Sequence, residues 1–270
     1  MTNRRVLLGM AAALPLAGCA TMSAETGAPA SLKLVTFNIW HNQGDWNSRR
    51  PLLVAELKAQ DADIIALQEV LEDSGVGLEN QAQMLARELG GYHVAFVSTD
   101  PQGGARRYGN ALLTRLPVLA EDSVKLDPLD DFRTALRLRV MDQGTPIDVV
   151  VTHLAWQDDA GPVRAQQINS LLDWLPQDET PLVVMGDFNA EQQDAGLAAM
   201  TGPRFFSALP RGSTVTTLNP DKGHPSRVID HIFAETAFFT PGEARVFGNV
   251  STQGEYPSDH FGVVATVYLK

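Results

Sequence analysis

Nine short runs rich in β-branched residues dominate this chain, and they narrow the choice of fold more than any other feature. They are "LKLVTFN", "DIIALQEV", "HVAFVS", "NALLTR", "ALRLRV", "IDVVVTHL", "LVVMGD", "RVIDHIFA" and "GVVATVYL", each of strand length and rich in residues that fit a pleated surface. Leu136, Leu138 and Val140 alternate with Arg137 and Arg139, the period of a strand with one wetter face. Other runs are continuously apolar, which suits strands covered on both faces. Helical patterns are predicted over residues 48–60, 79–90, 162–175 and 190–200. The third carries Pro162 in its first turn and Ile168, Leu171, Leu172 and Leu175 at helical spacing. Strands often follow one another without an intervening helix, so strict βαβ alternation is not seen. The pattern predicts an α/β protein of two packed, mixed and largely antiparallel sheets with helices outside, as one domain over residues 31–270. A chain of 270 residues, 44% apolar and 20% charged, can bury such a core.

Residues 1–19, "MTNRRVLLGMAAALPLAGC", read as a targeting segment rather than as fold. Arg4 and Arg5 precede an apolar run too short to span a bilayer, and the run closes on Leu16-Ala17-Gly18-Cys19. That ending resembles the bacterial lipobox, which implies cleavage before Cys19 and a lipid on its sulfur; the arginine pair also resembles a twin-arginine export signal. Residues 20–30, small and polar, read as a tether. The expectation is an exported, lipid-anchored protein, sorted to the outer membrane because Ala20 follows the cysteine. Cys19 is the chain's one cysteine, so no disulfide forms within the chain and cysteine-based zinc sites and nucleophiles are excluded. Loss of the two arginines would move the net charge from −11 to −13. That balance disfavours extended nucleic-acid contact, which needs clustered Lys and Arg, and makes a bivalent cation attractive. A monomer is expected.

The apolar runs share a second property: polar groups collect at their ends. "LVTFN" ends in Asn38, "IIALQE" in Glu69, "VVVTH" in His153 and "LVVMGDFN" in Asp187 and Asn189. "RVIDH" carries Asp230 and His231, and Asp259 and His260 stand just before "GVVATV". A single Asn or Asp at a strand end is accounted for by turn capping; six coincidences of type and position are not. Strand ends gathered on one edge would bring the groups together. Asp230 and His231 are neighbours on a strand and point to opposite faces, whereas Asp187 and Asn189 can share one.

"TFNIW", "ALQEV", "YGNALLTRLPV", "THL", "GDFNA", "RVIDHIF" and "SDHFGVVATV" together resemble the successive signatures of the endonuclease/exonuclease/phosphatase superfamily, the deoxyribonuclease-I-like group, over residues 31–268. The resemblance implies a four-layered α/β/β/α sandwich and metal-dependent hydrolysis of a phosphate ester. It implies Mg2+, with Mn2+ or Ca2+ as substitutes, held by Glu69 with the side-chain oxygen of Asn38 and with Asp259 nearby. It pairs Asp230 with His260, and gives Asp187 the attacking water and Asn189 and His153 phosphoryl oxygens. Tyr108 and Asn110, side by side in "RRYGNALLTR", are second-rank site candidates, the alternative being a turn residue and a partly buried ring. Trp40 departs from relatives that carry an acid two residues after the first Asn, which weakens a second metal there. Arg106 and Arg107 could form a small basic patch. Arg133, Arg164 and Arg227 read as structural salt bridges, and His41 and Trp46 as loop residues away from substrate. A small or lipid-headgroup ester is the leading substrate expectation, a secreted nuclease the alternative, and a non-catalytic binding lipoprotein a third.

Overall fold

Twelve strands arrange in two six-stranded sheets in the computed structural model, which describes residues 31–213 and 215–270. The signal-peptide, lipobox and tether expectations lie outside those residues. The first sheet contains β1 (Ser31–Asn38), β2 (Ile64–Asp73), β3 (His93–Ser98), β4 (Arg106–Thr114), β11 (Phe239–Phe247) and β12 (Gly262–Leu269), in the order β11-β12-β1-β2-β4-β3. The second contains β5 (Val118–Lys125), β6 (Thr134–Asp142), β7 (Thr145–His153), β8 (Leu182–Asp187), β9 (Phe205–Ser207) and β10 (Asp230–Glu235), in the order β5-β6-β7-β8-β10-β9. Each sheet has one parallel pair at its centre, β1 with β2 and β7 with β8; every other pairing is antiparallel. The expected α/β sandwich of two mixed sheets is what forms.

Side-chain alternation explains why the central runs are apolar throughout. Leu32 and Leu34 of β1, Val149 and Val151 of β7, and Val183 and Met185 of β8 point between the sheets into one shared core. Val35 and Phe37 point outward beneath α1 (Trp46–Gln60) and α2 (Gln81–Leu89), and Val150 and Val184 outward beneath α3 (Gly161–Trp174). Covered on both faces, these strands need apolar residues at every position.

The predicted helix over 190–200 is mostly absent. A 3-10 turn (Ala195–Leu197) leads into the short α4 (Ala198–Thr201). Asn189 turns the chain at φ 51°, and the Asp194 carboxylate accepts from the Gly196 N–H at 2.7 Å. A Cβ on Gly196 would lie 2.7 Å from the Gly161 carbonyl, so a loop is packed tightly against the start of α3.

Candidate active site

Three neighbouring strands lay the floor of the site in one line. The register sets His153 on β7 beside Asp187 on β8, and Asp187 opposite Asp230 on β10. All three share the parity of the inter-sheet core residues, so they emerge where the two inner faces end. Two carboxylates directly opposed in a buried place repel strongly. His260, just before β12, relieves this: its Nδ1 lies 2.9 Å from Asp230 Oδ2 and its Nε2 3.8 Å from Asp187 Oδ2. Burial alone would push His260 down, yet the carboxylates of Asp230, Asp187 and Asp259 outweigh it and raise it to about 10. Burial pushes Asp230 up to about 6 against the pull of His260, and its Oδ1 has no protein partner. His153, 3.4 Å from Asp187 through Nε2, is pushed down to about 3 by burial and the Arg133 charge. It is a neutral donor. Burial would raise Asp187 as well, but the His153 and His260 rings, the Asn38 amide and the Asn189 N–H hold it low; with His153 neutral, His260 supplies the charge.

An irregularity in β2 delivers the other half. Gln68 and Glu69 together oppose Asn110 of β4, a β-bulge, with Glu69 at φ 59°. The extra residue re-aims a side chain: Gln68 bonds Thr36, and Glu69 turns to Asn38, whose Nδ2 donates to Glu69 Oε1 (3.2 Å) and Asp187 Oδ2 (3.0 Å). Burial raises Glu69, and Asp259 adds to the rise against the charge of His260. The Asp259 carboxylate bonds His224 Nε2 at 3.1 Å and Ser258 Oγ at 3.3 Å. These groups floor a cleft of about 760 Å3.

Residues 35–260 match the model of the Endonuclease/Exonuclease/phosphatase family. The chain belongs to that family. Members of the Endonuclease/Exonuclease/phosphatase family are hydrolases, phosphoesterases and nucleases, generally dependent on a divalent metal. The chain is 30% identical over 163 residues to protein angel homolog 2 of Danio rerio, a match over 54% of this chain that spans 28% of that relative's length. Among solved structures it resembles the human nocturnin catalytic domain with bound sulfate anion, at TM-score 0.71 and 22% identity, covering 89% of this chain and 94% of that one. It also resembles D. rerio TDP2 complexed with single strand DNA product, at TM-score 0.72 and 20% identity, covering 88% and 98%. A mannosyl-6-phosphatase from Bacteroides thetaiotaomicron matches at TM-score 0.68 and 18% identity, covering 88% and 99%. At these identities the structural likeness establishes the fold.

Within this member of the family, the sequence-derived residues fall in three groups. Glu69, Tyr108, His153, Asp187, Asn189, Asp259 and His260 line the cleft, with Asn38 and Asp230 buried immediately beneath. Tyr108 is raised by burial and by the Glu69 charge, and stays a phenol. Asn110 is buried and its amide is spent on Thr134. His231 points the other way, as its parity requires, donating to the Ala190 carbonyl at 2.9 Å and packing on Phe188 and Phe233. The Asn38 side-chain oxygen accepts from the Trp40 N–H at 3.0 Å, which leaves it one lone pair for a metal. Arg106, Arg133 and Arg227 line the cleft, whereas Arg107 pairs with Glu72 at 2.9 Å, and Arg164 forms its expected salt bridge, to Asp194 at 3.1 Å, and also serves the carbonyls of Ala155 and Gln157. His41 Nε2 stands 3.9 Å from Glu69, and Trp46 is buried.

Sequence reasoning passed over two residues. His224, in "KGHPSR", sits in a segment without periodicity, and only its approach to Asp259 reveals it. Arg49 is fully buried in α1 and donates to the carbonyls of Gln43, Ile39, Pro257, Trp40 and His41 at 2.8 to 3.1 Å. It ties the loop after Asn38 to the segment before Asp259. An arginine on a helix pattern reads as a solvated face, so nothing in sequence marks it.

Proposed function

We propose that this protein is a Mg2+-dependent phosphoesterase acting on a small or lipid-headgroup phosphate ester. One observation carries the reading: the His260 ring set between two opposed carboxylates, beside the all-oxygen pair Glu69 and Asp259 in one cleft. The donor set fits a hard divalent ion. Glu69 is pushed up by burial and the neighbouring Asp259 charge, a strain that a bound cation would relieve, and oxygen ligands are what Mg2+ prefers. Glu69 and Asp259, with the free lone pair of Asn38, would hold it. Asp187, Asp230 and His260 also place ligand atoms within 4.8 Å of one another, but the hydrogen bond of His260 to Asp230 and its approach to Asp187 make them the proton-handling group in this reading.

A bound divalent ion supplies charge relief on the phosphoryl oxygens. The chain's own residues do the rest. Asp187, held ionised, orients the attacking water and accepts its proton. Asp230 keeps His260 protonated and oriented, so Nε2 presents an N–H to a phosphoryl oxygen. His153 adds a neutral donor from the β7 end, and Asn189, with one amide N–H on the Leu154 carbonyl at 3.1 Å, adds its second from the β8 end. The Cys19 lipobox and the acidic charge support an exported, lipid-anchored monomer acting on small esters rather than long nucleic acid.

The test is a screen of phosphate monoesters and diesters with Mg2+, Mn2+ or Ca2+ and with chelator, alongside calorimetric titration of Mg2+ into the wild type and Glu69→Ala. Cleavage that chelator abolishes, with Mg2+ binding lost in the variant, is expected. Full activity in chelator or in Glu69→Ala would sink the reading.

A further inference from the structure

Two large aromatic side chains stand exposed where burial is usual for their type: Trp156, 66% accessible, and Phe132, 64%. Both line the same cleft as the catalytic groups. Neither sits on a loose loop. Gln167 of α3, fully buried, accepts from the Ala155 N–H at 2.9 Å and donates to the Asp131 carboxylate at 2.6 Å. One amide therefore clamps both loops, at the residue before each aromatic ring. Arg164, also buried, fixes the carbonyls on either side of Trp156, those of Ala155 and Gln157, at 3.1 and 2.9 Å. Phe132 is held at φ 57°, a conformation that costs a bulky residue free energy and persists only where the surroundings impose it. A fold that spends a buried glutamine, a buried arginine and backbone strain on displaying two rings to water uses those rings.

The rim around them names the occupant. It carries three aspartates and three arginines, Asp100, Asp131 and Asp158 with Arg106, Arg133 and Arg227. The arginines are loosely paired: Arg133 lies 3.6 Å from Asp131, Arg227 3.8 Å from Asp158 and 3.9 Å from Glu191, and Arg106 3.7 Å from Asp73. Their N–H groups remain free to donate, and the fully exposed Asp158 carboxylate to accept. A balanced rim neither attracts a long polyanion nor suits a cationic alcohol, and Lys125 Nζ already lies 4.0 Å over the Phe132 ring. Flat rings beside mixed donors and acceptors match a planar heterocycle with a hydrogen-bonding edge. A cleft of about 760 Å3 lies within the range of small-molecule sites.

We propose that Trp156 and Phe132 form a stacking subsite for a nucleobase, so that the ester cleaved is a nucleotide or the end of a short single strand. The proposal rests on the phosphoesterase reading of the cleft and names the alcohol portion that reading leaves open.

The test compares esters that differ only in the base, in the full-length protein with Mg2+. Adenosine 5′-monophosphate is set against ribose 5-phosphate, and a dinucleoside monophosphate against the analogue lacking the base on the 5′ side. In at least one pair the base-bearing ester is expected to have the higher kcat/KM by about tenfold or more, as stacking energies dictate. That ratio should fall severalfold in Trp156→Ala and in Phe132→Ala. A ratio near one in the wild type, or one that neither variant moves, overturns the proposal. A binding readout stands apart from turnover: adenosine 5′-monophosphate should quench tryptophan fluorescence, because Trp156 is the exposed tryptophan while Trp40, Trp46 and Trp174 are partly or fully buried. The quenching should vanish in Trp156→Ala. If no ester is cleaved, the phosphoesterase reading fails, and the fluorescence titration alone decides the subsite: no quenching in the wild type overturns it.

Discussion

His260 owes its charge to Asp230. Burial opposes an imidazolium, and only the carboxylate 2.9 Å from Nδ1, with Asp187 and Asp259 beyond it, raises the ring to about 10. Asp230→Asn keeps the shape and removes the charge, so His260 should fall back toward its ordinary range and be largely neutral at pH 7. A group that acts protonated supports rate below its pKa. The alkaline limb of the kcat/KM profile is therefore expected near pH 10 in the wild type and several units lower in the variant, with kcat at pH 7 down by about 10²-fold or more. An unmoved limb would remove Asp230 from the mechanism. Gly186, the glycine of "GDFN", poses a steric question instead. It sits at φ 151°, and a Cβ there would lie 1.9 Å from the Thr152 carbonyl of β7. Gly186→Ala must push β7 from β8 and part His153 from Asp187, so a loss of about 3 kcal/mol or more is expected in denaturant unfolding. Both the glycine and the site acids can be read from sequence, since glycine, Asp and His at strand ends are rare enough to stand out. Arg49 and His224 cannot: Arg49 is defined by carbonyls of the loop before its helix and of Pro257, 208 residues on, and His224 by Asp259, 35 residues on.

At the scale of elements, the strands that escape sequence reading have a common physical reason. β5, β9 and β11 each lie at a sheet edge. An edge strand is exposed on one side and tends to carry charge or proline, as in "VLAEDSVK" and "FTPGEARVF", so its pattern is polar and short. β9 has three residues. Central strands, covered twice, read clearly: "LVVMGD" and "GVVATVYL" coincide with β8 and β12; β3, also at an edge, is legible as "HVAFVS" because it carries no acid or proline. The bulge in β2 leaves no mark in sequence, yet it aims Glu69 into the site. α3 shows how a helix can organise loops it does not belong to, through Gln167. Gln167→Leu keeps the volume and leaves the buried Ala155 N–H without its partner. A cost of about 1–3 kcal/mol in unfolding is expected, with KM for the cleaved ester rising more than kcat falls as the rim loops loosen. An unchanged denaturation midpoint would show that the loops are held by something else.

Across the whole molecule, sheets covered on both faces bury His153 on the inner side and His231 on the outer, and the protein's response to acid follows. His231 lies on the outer face of β10, fully buried among Phe188 and Phe233. One ring nitrogen donates to the Ala190 carbonyl and Nδ1 has no partner. A protonated ring would bury an unpartnered N–H, and burial accordingly pushes the group down to about 4; His153 is pushed down to about 3 in the same way. Both take up a proton on unfolding once pH falls below about 6.5. The unfolded chain then binds more protons than the folded one, so stability drops as pH falls from about 6.5 toward those folded values. His260 acts at the opposite end, its contribution intact below about 6.5 and lost as pH rises through about 10. His231→Phe separates the acid effect from the groups of the cleft. At pH 7 the variant should be less stable by about 1 kcal/mol, for the lost bond to Ala190. Between pH 6.5 and 4 it sheds one of the protons driving acid unfolding, a relief on the order of 3 kcal/mol at the lower end. The two stability curves should therefore converge and cross as pH falls. Parallel curves would mean that His231 takes its proton without unfolding, which the sealed outer face of β10 does not allow.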